Sequence, residues 1–310
     1  MVEDAAGRVI DLRNAERLRL QRSGATAAAA RRVAAALFPG SMSAAIAGGD
    51  GFLEAAARAT TGGDDASLPI DNLHWLPAID PPTVRDCVAF KTHIENMAKR
   101  GGREMSPLHY DYPRYYKGSS AGLIGHEATV PWPPYTELMD YELELGFVIG
   151  AGGHSLTPGE ALDHVFGVTI YNDFSARDIQ GGEMASGFGP AKGKDFGTAI
   201  GPWITTLDEL DVHDLEMRAR VNGEDWSHGY SSTMWWSVEE LIGFTSWGET
   251  LVPGDLIGSG TVGFGCGAEL GRFLKPGDVV ELEVSGIGVL RNTVGEPEAG
   301  RWQPVPRATD

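Results

Sequence analysis

The sequence predicts an α+β protein in which β-strands predominate, preceded by a small, partly helical N-terminal region. Residues 1–65 are rich in alanine and arginine, whereas the chain after residue 84 is rich in glycine. Most of the later apolar segments are short and are separated by Gly, Pro and Asn turns, without the long helices of an alternating βαβ chain. We therefore predict a boundary near residue 80, with a helical region over 1–80 and a β-rich domain over 81–310.

Length and composition are those of a globular protein with an ordinary core. The chain has 310 residues, of which 42% are hydrophobic and 22% are charged. With 25 Lys+Arg and 43 Asp+Glu, the formal net charge is −18. A chain this acidic repels phosphate backbones and anionic membranes, so we expect neither nucleic acid nor a membrane as a partner.

Cysteine content and the N-terminus both favour a cytoplasmic protein. Cys87 and Cys266 are the only cysteines and cannot build a disulfide framework. The chain begins with Glu3 and Asp4 where a signal peptide would carry basic residues. The longest apolar stretch, Ala27–Phe38, is interrupted by two arginines and is shorter than a membrane span.

Two helices and a linker are predicted before the boundary. Ala25–Phe38 is predicted to be helical and to end at the following Pro-Gly pair. Phe52–Thr60 is predicted to form a shorter helix. Leu76–Pro82 contains three prolines, which indicates a stiff linker.

Strands and tight turns dominate the prediction after the boundary. Asn222-Gly223 indicates a hairpin, and Ser237 indicates the N-cap of a helix that runs to Trp247. Pro253-Gly254 and Pro276-Gly277 each indicate a turn that leads into a strand. The predicted extended segments are Val130–Pro134, Tyr141–Gly150, Val165–Tyr171, Ile200–Thr206 and Met217–Val221.

Two glutamates in the Tyr141–Gly150 segment suggest a metal site. Residues two apart on a strand share a face, so Glu142 and Glu144 point to the same side. A solvated strand face is the ordinary explanation, yet the flanking residues are apolar and indicate a buried sheet. Two buried carboxylates require a cation between them, and oxygen ligands suit a hard divalent ion.

A third acid and nearby cations complete the pattern. Asp173 follows an apolar strand, where it could be a metal ligand or a helix N-cap. Three oxygen ligands suit Mg²⁺, Mn²⁺ or Ca²⁺ better than zinc, because no His/Cys cluster accompanies them. Arg177, Lys192 and Lys194 are close in sequence, and glycines around Lys194 would let a substrate approach. A surface loop is the alternative.

Five motifs follow one another along the chain: Asp140–Leu145, Asn172–Gln180, Gly193–Gly197, Gly201–Trp203 and Gly258–Thr261. Together they closely resemble the fumarylacetoacetate hydrolase family, from about residue 84 to 294. The resemblance implies a fold of mixed, rolled β-sheets, a divalent metal and cleavage of a C–C bond in a β-diketo acid, as in aromatic catabolism. It also implies a homodimer.

The resemblance also implies roles for individual residues. His93 matches the general base and Lys194 the active-site lysine. Thr198 matches a second position near the metal. The predicted metal ligands are Glu142, Glu144, Asp173 and Asp86. The predicted substrate-binding residues are Arg177, Gln180, Thr261 and an aromatic contact from Tyr116 or its neighbour Tyr115.

The carboxylate that would orient His93 is left open by the sequence. One branch of the family has a glutamate three residues after the histidine, where this chain has Asn96. The other branch has a glutamate soon after Ser-Gly-Thr, where this chain has Phe264-Gly-Cys266. Glu95 and Glu269 are the two candidates. The N-terminal 80 residues could cover the cleft, form a dimer contact or decorate the domain.

Hydrolysis of a keto or diketo acid is the activity that the resemblance implies. His93 would activate water, while Lys194 and the metal would stabilise the enolate that leaves. Decarboxylation, isomerisation, or hydration and dehydration of a 2-keto acid on the same metal site are the alternatives. A non-catalytic metal-binding module is a further alternative, disfavoured because it would leave these residues unused.

Overall fold

The structure is a computed structural model that describes residues 2–3, 8–61, 63–305 and 307. It confirms a β-rich α+β chain with mixed sheets. Among the described residues, no helix combines the length and the apolar content that a membrane span requires. The α-helices are α1 (Leu12–Arg22), α2 (Ala27–Leu37), α3 (Met42–Ile46), α4 (Asp50–Thr60), α5 (Lys91–Arg100), α6 (Arg177–Ser186), α7 (Val238–Ser246) and α8 (Gly267–Leu270).

The strands fall into two large sheets and three small ones. The first nine are β1 (Val2–Glu3), β2 (Arg8–Ile10), β3 (Ser67–Pro69), β4 (Val84–Cys87), β5 (Tyr115–Gly118), β6 (Thr129–Trp132), β7 (Met139–Asp140), β8 (Leu143–Ile149) and β9 (Gly153–His154). The others are β10 (Val165–Asn172), β11 (Ser175–Ala176), β12 (Ala199–Thr206), β13 (Glu216–Val221), β14 (Glu224–Tyr230), β15 (Thr250–Leu251), β16 (Leu256–Gly258), β17 (Val279–Val284) and β18 (Gly288–Pro297).

The two large sheets pack face to face around the main core. One has the order β12-β10-β8-β16-β4-β5 and the other has the order β14-β13-β17-β18-β6. Pairing is antiparallel except between β16 and β4 and between β18 and β6. Leu143, Leu145 and Phe147 of β8 lie in one apolar cluster with Met217 and Leu282 of the opposite sheet. The rolled mixed sheets that the resemblance implies are therefore observed.

Strand β8 is buried on both faces, and the face that points away from the main core carries Glu144. Its odd-numbered residues enter the core between the sheets, whereas Glu144, Gly146 and Val148 project from the other face. Val148 there packs against Ile46 of α3 and Ile79 of the segment after β3. Glu144 therefore points into a covered space between the sheet and the rest of the chain.

The turn and capping predictions are confirmed by backbone geometry. Asn222 and Gly223 both have positive φ, at 53° and 77°, as a two-residue hairpin between β13 and β14 requires. Ser237 caps α7, accepting from the backbone N–H of Glu240 while the Glu240 side chain accepts from Ser237 N–H. Thr26 caps α2, so that helix begins two residues later than predicted.

The N-terminal region differs from its prediction in two respects. It contains two further helices, α1 and α3. The sequence did not predict them, because an arginine-rich polar segment and a very short segment give little amphipathic signal. The segment Leu76–Pro82 is irregular as predicted, but it is docked on the main domain. Ile79 is fully buried, and the N–H of Ala78 donates to the carbonyl of Ile200 at 3.4 Å. The boundary near residue 80 stays a prediction.

Candidate active site

Asp86 is placed by the parallel pairing of β4 with β16. In that register Asp86 lies beside Gly258. A Cβ atom at Gly258 would stand 2.2 Å from Asp86 Oδ1, so only glycine leaves room for this carboxylate. Asp86 is buried, and its Oδ1 atom has no hydrogen-bond partner in the described part of the chain. A buried carboxylate oxygen without a partner is energetically unfavourable unless a cation binds it.

Glu144 of β8 and Asp173, which follows β10, approach Asp86 from other strands of the same sheet. One carboxylate oxygen from each of the three lies within 4.8 Å of the others. Glu144 accepts from Thr261 Oγ1 at 3.0 Å and from the N–H of Gly260 at 3.1 Å. These contacts hold Glu144 in place beside Asp86.

Asp173 follows β10 directly and has polar partners of its own. Its carboxylate accepts from Tyr116 Oη at 2.7 Å and from Thr198 Oγ1 at 3.2 Å. The sequence placed both partners near the site, Tyr116 as a substrate contact and Thr198 near the metal. In the structure both position a carboxylate of the acidic cluster.

Two of the three acids in this cluster have raised pKa values. Burial raises the pKa of Asp86 well above its usual value, and the charge of Asp173 raises it further. Burial likewise raises the pKa of Glu144, with the charge of Asp86 as the next cause. A bound divalent cation would oppose both shifts, because it stabilises the ionised carboxylates. The donor set and the unpartnered Asp86 oxygen thus fit a hard divalent metal ion.

Glu142, the fourth predicted ligand, lies on the cationic side of the site. It forms ion pairs with Lys194 and with Arg177, the latter at 2.7 Å. Burial by itself would raise the pKa of Glu142, but the charges of Arg177 and Lys194 overcome this and hold it well below its usual range. Its role as a metal ligand stays a prediction.

Lys194 joins the two groups of acids. Its Nζ atom contacts both Glu142 and Asp173, and the side chain is almost completely buried. Burial alone would lower its pKa, but the charges of Asp173 and Glu142 raise it above the ordinary lysine value. Lys194 is therefore a buried ammonium group at the centre of the site.

His93 has a carboxylate partner, and it is Glu269. His93 Nδ1 lies 2.8 Å from Glu269 Oε2. The pKa of Glu269 is raised by burial but lowered more by its hydrogen bonds from His93 and Asn96, so the net shift is downward. An ionised carboxylate only accepts, so Nδ1 carries the proton. In neutral His93, Nε2 is then the free acceptor, and it lies 4.0 Å from Glu142 Oε1.

The alternatives for this partner are thereby resolved. Asn96 donates to Glu269 Oε1 at 2.8 Å, so the asparagine found three residues after the histidine supports the carboxylate. Glu95 points elsewhere and pairs with Lys91 at 3.5 Å. Cys266 Sγ also approaches Glu269, at 3.5 Å. Sequence spacing left Glu269 open because α8, which carries it, is too short to predict.

The predicted substrate-binding residues are mostly engaged within the protein. Arg177 is buried between Asp140 and Glu142, and its NH1 donates to Gln180 Oε1 at 3.0 Å. The Thr261 hydroxyl donates its hydrogen bond to Glu144. Their roles towards a substrate stay predictions. Asp140, which belongs to the first family motif but has no predicted role, is an additional buried acid of this neighbourhood.

A cavity of about 630 Å³ lies apart from these residues. It is lined by residues from the segment before the linker and from β12 and β18, including Trp75, Trp203 and Arg291. None of the acids or cations described above lines it. We therefore place the candidate site by its chemistry, at the acidic cluster beside Lys194 and His93.

Comparison with known proteins agrees with the motifs and the fold. The family described as "Fumarylacetoacetate (FAA) hydrolase C-terminal" matches residues 83–295. An uncharacterized protein of Staphylococcus saprophyticus is 31% identical over 244 residues, which are 78% of this chain and 78% of that protein.

Two solved structures illustrate the range of activities among similar proteins. A 2-hydroxyhepta-2,4-diene-1,7-dioate isomerase from Mycobacterium marinum has a TM-score of 0.63 and 29% identity, covering 77% of this chain and 83% of that one. A fumarylacetoacetate hydrolase from Exiguobacterium antarcticum has a TM-score of 0.61 and 32% identity, covering 74% of this chain and 82% of that one. The described activities therefore include both a hydrolase and an isomerase.

Proposed function

The chain belongs to the fumarylacetoacetate hydrolase family, and from that premise we propose that it is a metal-dependent hydrolase. The proposed substrate is a β-diketo acid of the fumarylacetoacetate or acylpyruvate type, in which a C–C bond is cleaved. The observation that carries this proposal is the hydrogen bond between His93 and Glu269 beside a buried acidic cluster. A base held by a carboxylate is needed for hydrolysis, because water must be activated.

The proposed cofactor is Mg²⁺ or Mn²⁺, with Ca²⁺ as a further possibility. Asp86, Glu144 and Asp173 would hold it, with Glu142 as the predicted fourth ligand. A divalent ion there would polarise a carbonyl oxygen of the substrate. Oxygen-only ligands favour these ions over zinc.

His93 is the proposed general base. With its Nδ1 proton donated to Glu269, Nε2 can accept a proton from a water molecule. The resulting hydroxide attacks the keto carbon, and the imidazolium is stabilised by the Glu269 carboxylate. The C–C bond then breaks, its electron pair passes into an enolate, and the attacked carbon becomes a carboxylic acid. Return of the proton from the His93 imidazolium to the enolate carbon completes the hydrolysis and restores the base.

Lys194 is the proposed stabiliser of the enolate. Its ammonium group is buried and already oriented by Glu142 and Asp173, so little reorganisation is needed when charge develops. In low-dielectric surroundings a fixed positive charge interacts strongly with a developing anion. The same property would serve any reaction that passes through an enolate.

Isomerisation of a 2-keto acid is the second candidate, and one observation favours it. The similar M. marinum structure is described as an isomerase, although the metal-binding acids could serve either reaction. Decarboxylation or hydration on the same site would also use the lysine. The products discriminate: hydrolysis splits the carbon skeleton, decarboxylation releases CO₂, and isomerisation leaves the composition unchanged.

The test is a substrate panel with the purified protein. Fumarylacetoacetate, fumarylpyruvate, acetylpyruvate and oxaloacetate are followed by ultraviolet absorbance and by mass spectrometry of products, with Mg²⁺ or Mn²⁺ and with EDTA. We expect metal-dependent splitting of a diketo acid and a loss of about 10²- to 10⁴-fold in rate for His93→Gln. Native-rate turnover by His93→Gln would contradict the assignment of the base.

A further inference from the structure

Asp140 is a fully buried acid whose two carboxylate oxygens each accept two hydrogen bonds. It ends β7, and its Oδ1 atom accepts from the N–H groups of Tyr141 at 2.9 Å and Gly267 at 2.7 Å. Its Oδ2 atom accepts from the N–H of Ala268 at 3.0 Å and from Arg177 Nε at 2.8 Å. The carboxylate is therefore the common acceptor of three backbone donors and one guanidinium.

Two of those backbone donors belong to the helix that carries Glu269. Helix α8 begins at Gly267, and Glu269 follows two residues later. The approach is so close that a Cβ atom at Gly267 would stand 2.6 Å from Asp140 Oδ1. Asp140 thus fixes the start of α8, and α8 in turn brings Glu269 to His93.

Asp140 also reaches the cationic side of the site. Arg177 NH2 lies 2.7 Å from both Asp140 Oδ2 and Glu142 Oε1. One carboxylate therefore anchors both α8 and the arginine that pairs with Glu142. Removing it would release two groups that border the reacting atoms on different sides.

We propose that Asp140 is a positioning residue that holds α8 so that Glu269 meets Nδ1 of His93. This inference rests on the proposed function in so far as His93 is the base. Asp140 itself lies behind Arg177 and the first residues of α8, and it acts through Glu269.

The test compares two buried aspartates that receive the same substitution. Asp140→Asn keeps the shape but replaces one oxygen by an NH₂ group, which faces N–H donors and cannot accept from them. Asp255→Asn is the matched control. Asp255 is equally buried, accepts from the N–H of Val252 at 3.0 Å and pairs with Arg85 at 3.4 Å, at the opposite end of β16.

We expect Asp140→Asn to lower kcat by about 10- to 100-fold while KM changes by no more than about threefold. Asp255→Asn is expected to keep kcat within about threefold, even if both variants lose similar thermal stability. Equal kcat values for the two variants would mean that Asp140 has only a structural role, which would overturn the proposal.

A double-mutant cycle shows whether Asp140 acts through Glu269. If it does, Asp140→Asn combined with Glu269→Gln is no more than about threefold slower than the slower single variant. If the loss in kcat of the double variant equalled the product of the two single losses, the proposal would be contradicted. Fold-losses multiply when two residues act independently, because their free energies then add.

A measurement without turnover separates this inference from the proposed function. In ¹⁵N-histidine-labelled protein at one pH, the ring nitrogens of His93, assigned with His93→Gln, report the hydrogen bond to Glu269. We expect Asp140→Asn to shift these signals towards those of Glu269→Gln and Asp255→Asn to leave them unchanged. A shift in a protein that turns over no diketo acid would support the inference while the proposed function fails; unchanged signals would overturn the inference.

Asp140→Ser serves the same measurements if Asp140→Asn does not fold. It keeps one hydroxyl acceptor towards the start of α8 and leaves space for water. If neither variant folds while Asp255→Asn does, the role of Asp140 is structural and the proposal is wrong.

Discussion

Opposing electrostatic effects act on the pKa values of single acids in this site. Burial raises the pKa of Asp86 and of Glu144; the charge of Asp173 raises that of Asp86 further, and the charge of Asp86 raises that of Glu144 further. The pKa of Glu142 is instead lowered by the charges of Arg177 and Lys194, which outweigh its burial. The pKa values of acids in one site are therefore shifted in opposite directions. The donor set of Asp86, Glu144 and Asp173 thus fits a divalent cation, whereas Glu142 is paired with the protein's own cations.

Asp86→Asn is expected to have opposite effects with and without metal. Because folding raises the pKa of Asp86, this carboxyl destabilises the folded state increasingly as pH rises above the pKa of an unfolded aspartate. The neutral isostere should thus raise the melting temperature of the metal-free protein at pH 7. It should also reduce the stabilisation by Mn²⁺, which for a free concentration 100 times Kd is about 2.7 kcal/mol in the native protein.

The measurement is thermal unfolding with EDTA and across a Mn²⁺ titration. Asp208→Asn, at an exposed position, is the control and should change neither quantity. A Mn²⁺ response in Asp86→Asn equal to the native response would show that Asp86 is not a ligand.

At the scale of elements, α6 and the loop after it form one unit through Glu183. The Glu183 carboxylate accepts from the backbone N–H groups of Ala191, Lys192 and Gly193, at 3.0, 2.8 and 3.0 Å. Lys194 follows directly in the chain. Glu183 therefore orders the loop that delivers the buried lysine to the site.

This loop is expected to loosen in acid. Burial raises the pKa of Glu183, but the hydrogen bonds from the three backbone N–H groups together lower it more, so the net pKa lies below that of a free glutamate. The stabilisation is therefore complete above the unfolded pKa and is lost as pH falls through the folded pKa. Hydrogen exchange, corrected for intrinsic rates, should show falling protection of residues 191–193 over that range.

Glu183→Gln should show the loosened loop already at pH 7, with protection about tenfold lower for the same amides. Glu137→Gln is the control, because Glu137 is exposed and its backbone N–H donates to Asp178 of α6. Equal protection in Glu183→Gln and native protein at pH 7 would mean that the charge of Glu183 does not order the loop.

The capping box of α7 gives an independent prediction for an element far from the chemistry. Ser237→Ala removes the acceptor for the Glu240 N–H, which lies 3.3 Å from Ser237 Oγ. Loss of such a cap costs about 1 kcal/mol and should lower the melting temperature by about 2–4 °C. Ser232→Ala, at an exposed position in the preceding turn, should leave it unchanged; equal effects would contradict the capping role.

At the scale of the whole molecule, the N-terminal helices have their own apolar cluster and yet dock on the main sheets. Phe52 of α4 lies in that cluster, and Phe166 of β10 packs against it, with ring centroids 6.3 Å apart. Ile46 of α3 instead joins the cluster formed by Val148 and Ile79. The helical region thus covers the face of the sheet from which Glu144 projects.

Phe166→Ala is expected to weaken this docking. Loss of the ring removes apolar contacts with the helical cluster, so trypsin should cleave earlier at the arginines of α1. Phe188→Ala, at a highly exposed position, is the control and should leave cleavage at those sites unchanged. Unchanged cleavage in Phe166→Ala would mean that the docking does not depend on this contact.

The sequence alone determined the features that are local. Glycine and proline turns, the Asn222-Gly223 hairpin and the Ser237 cap depend on backbone preferences of a few neighbouring residues. The Glu142/Glu144 pair was found because a strand repeats every two residues. The family motifs identified His93, Lys194 and the acids because their order along the chain is preserved.

Only the tertiary structure decided which of these groups meet. Asp86 and Glu144 come from different strands of one sheet, and Asp86 fits only because glycine lies opposite it in β16. Glu269 reaches His93 across 176 positions of sequence, and Asp140 receives the start of α8 across 127. Such contacts depend on sheet register and on helix docking, which are set by the packing of the whole core and not by any local preference.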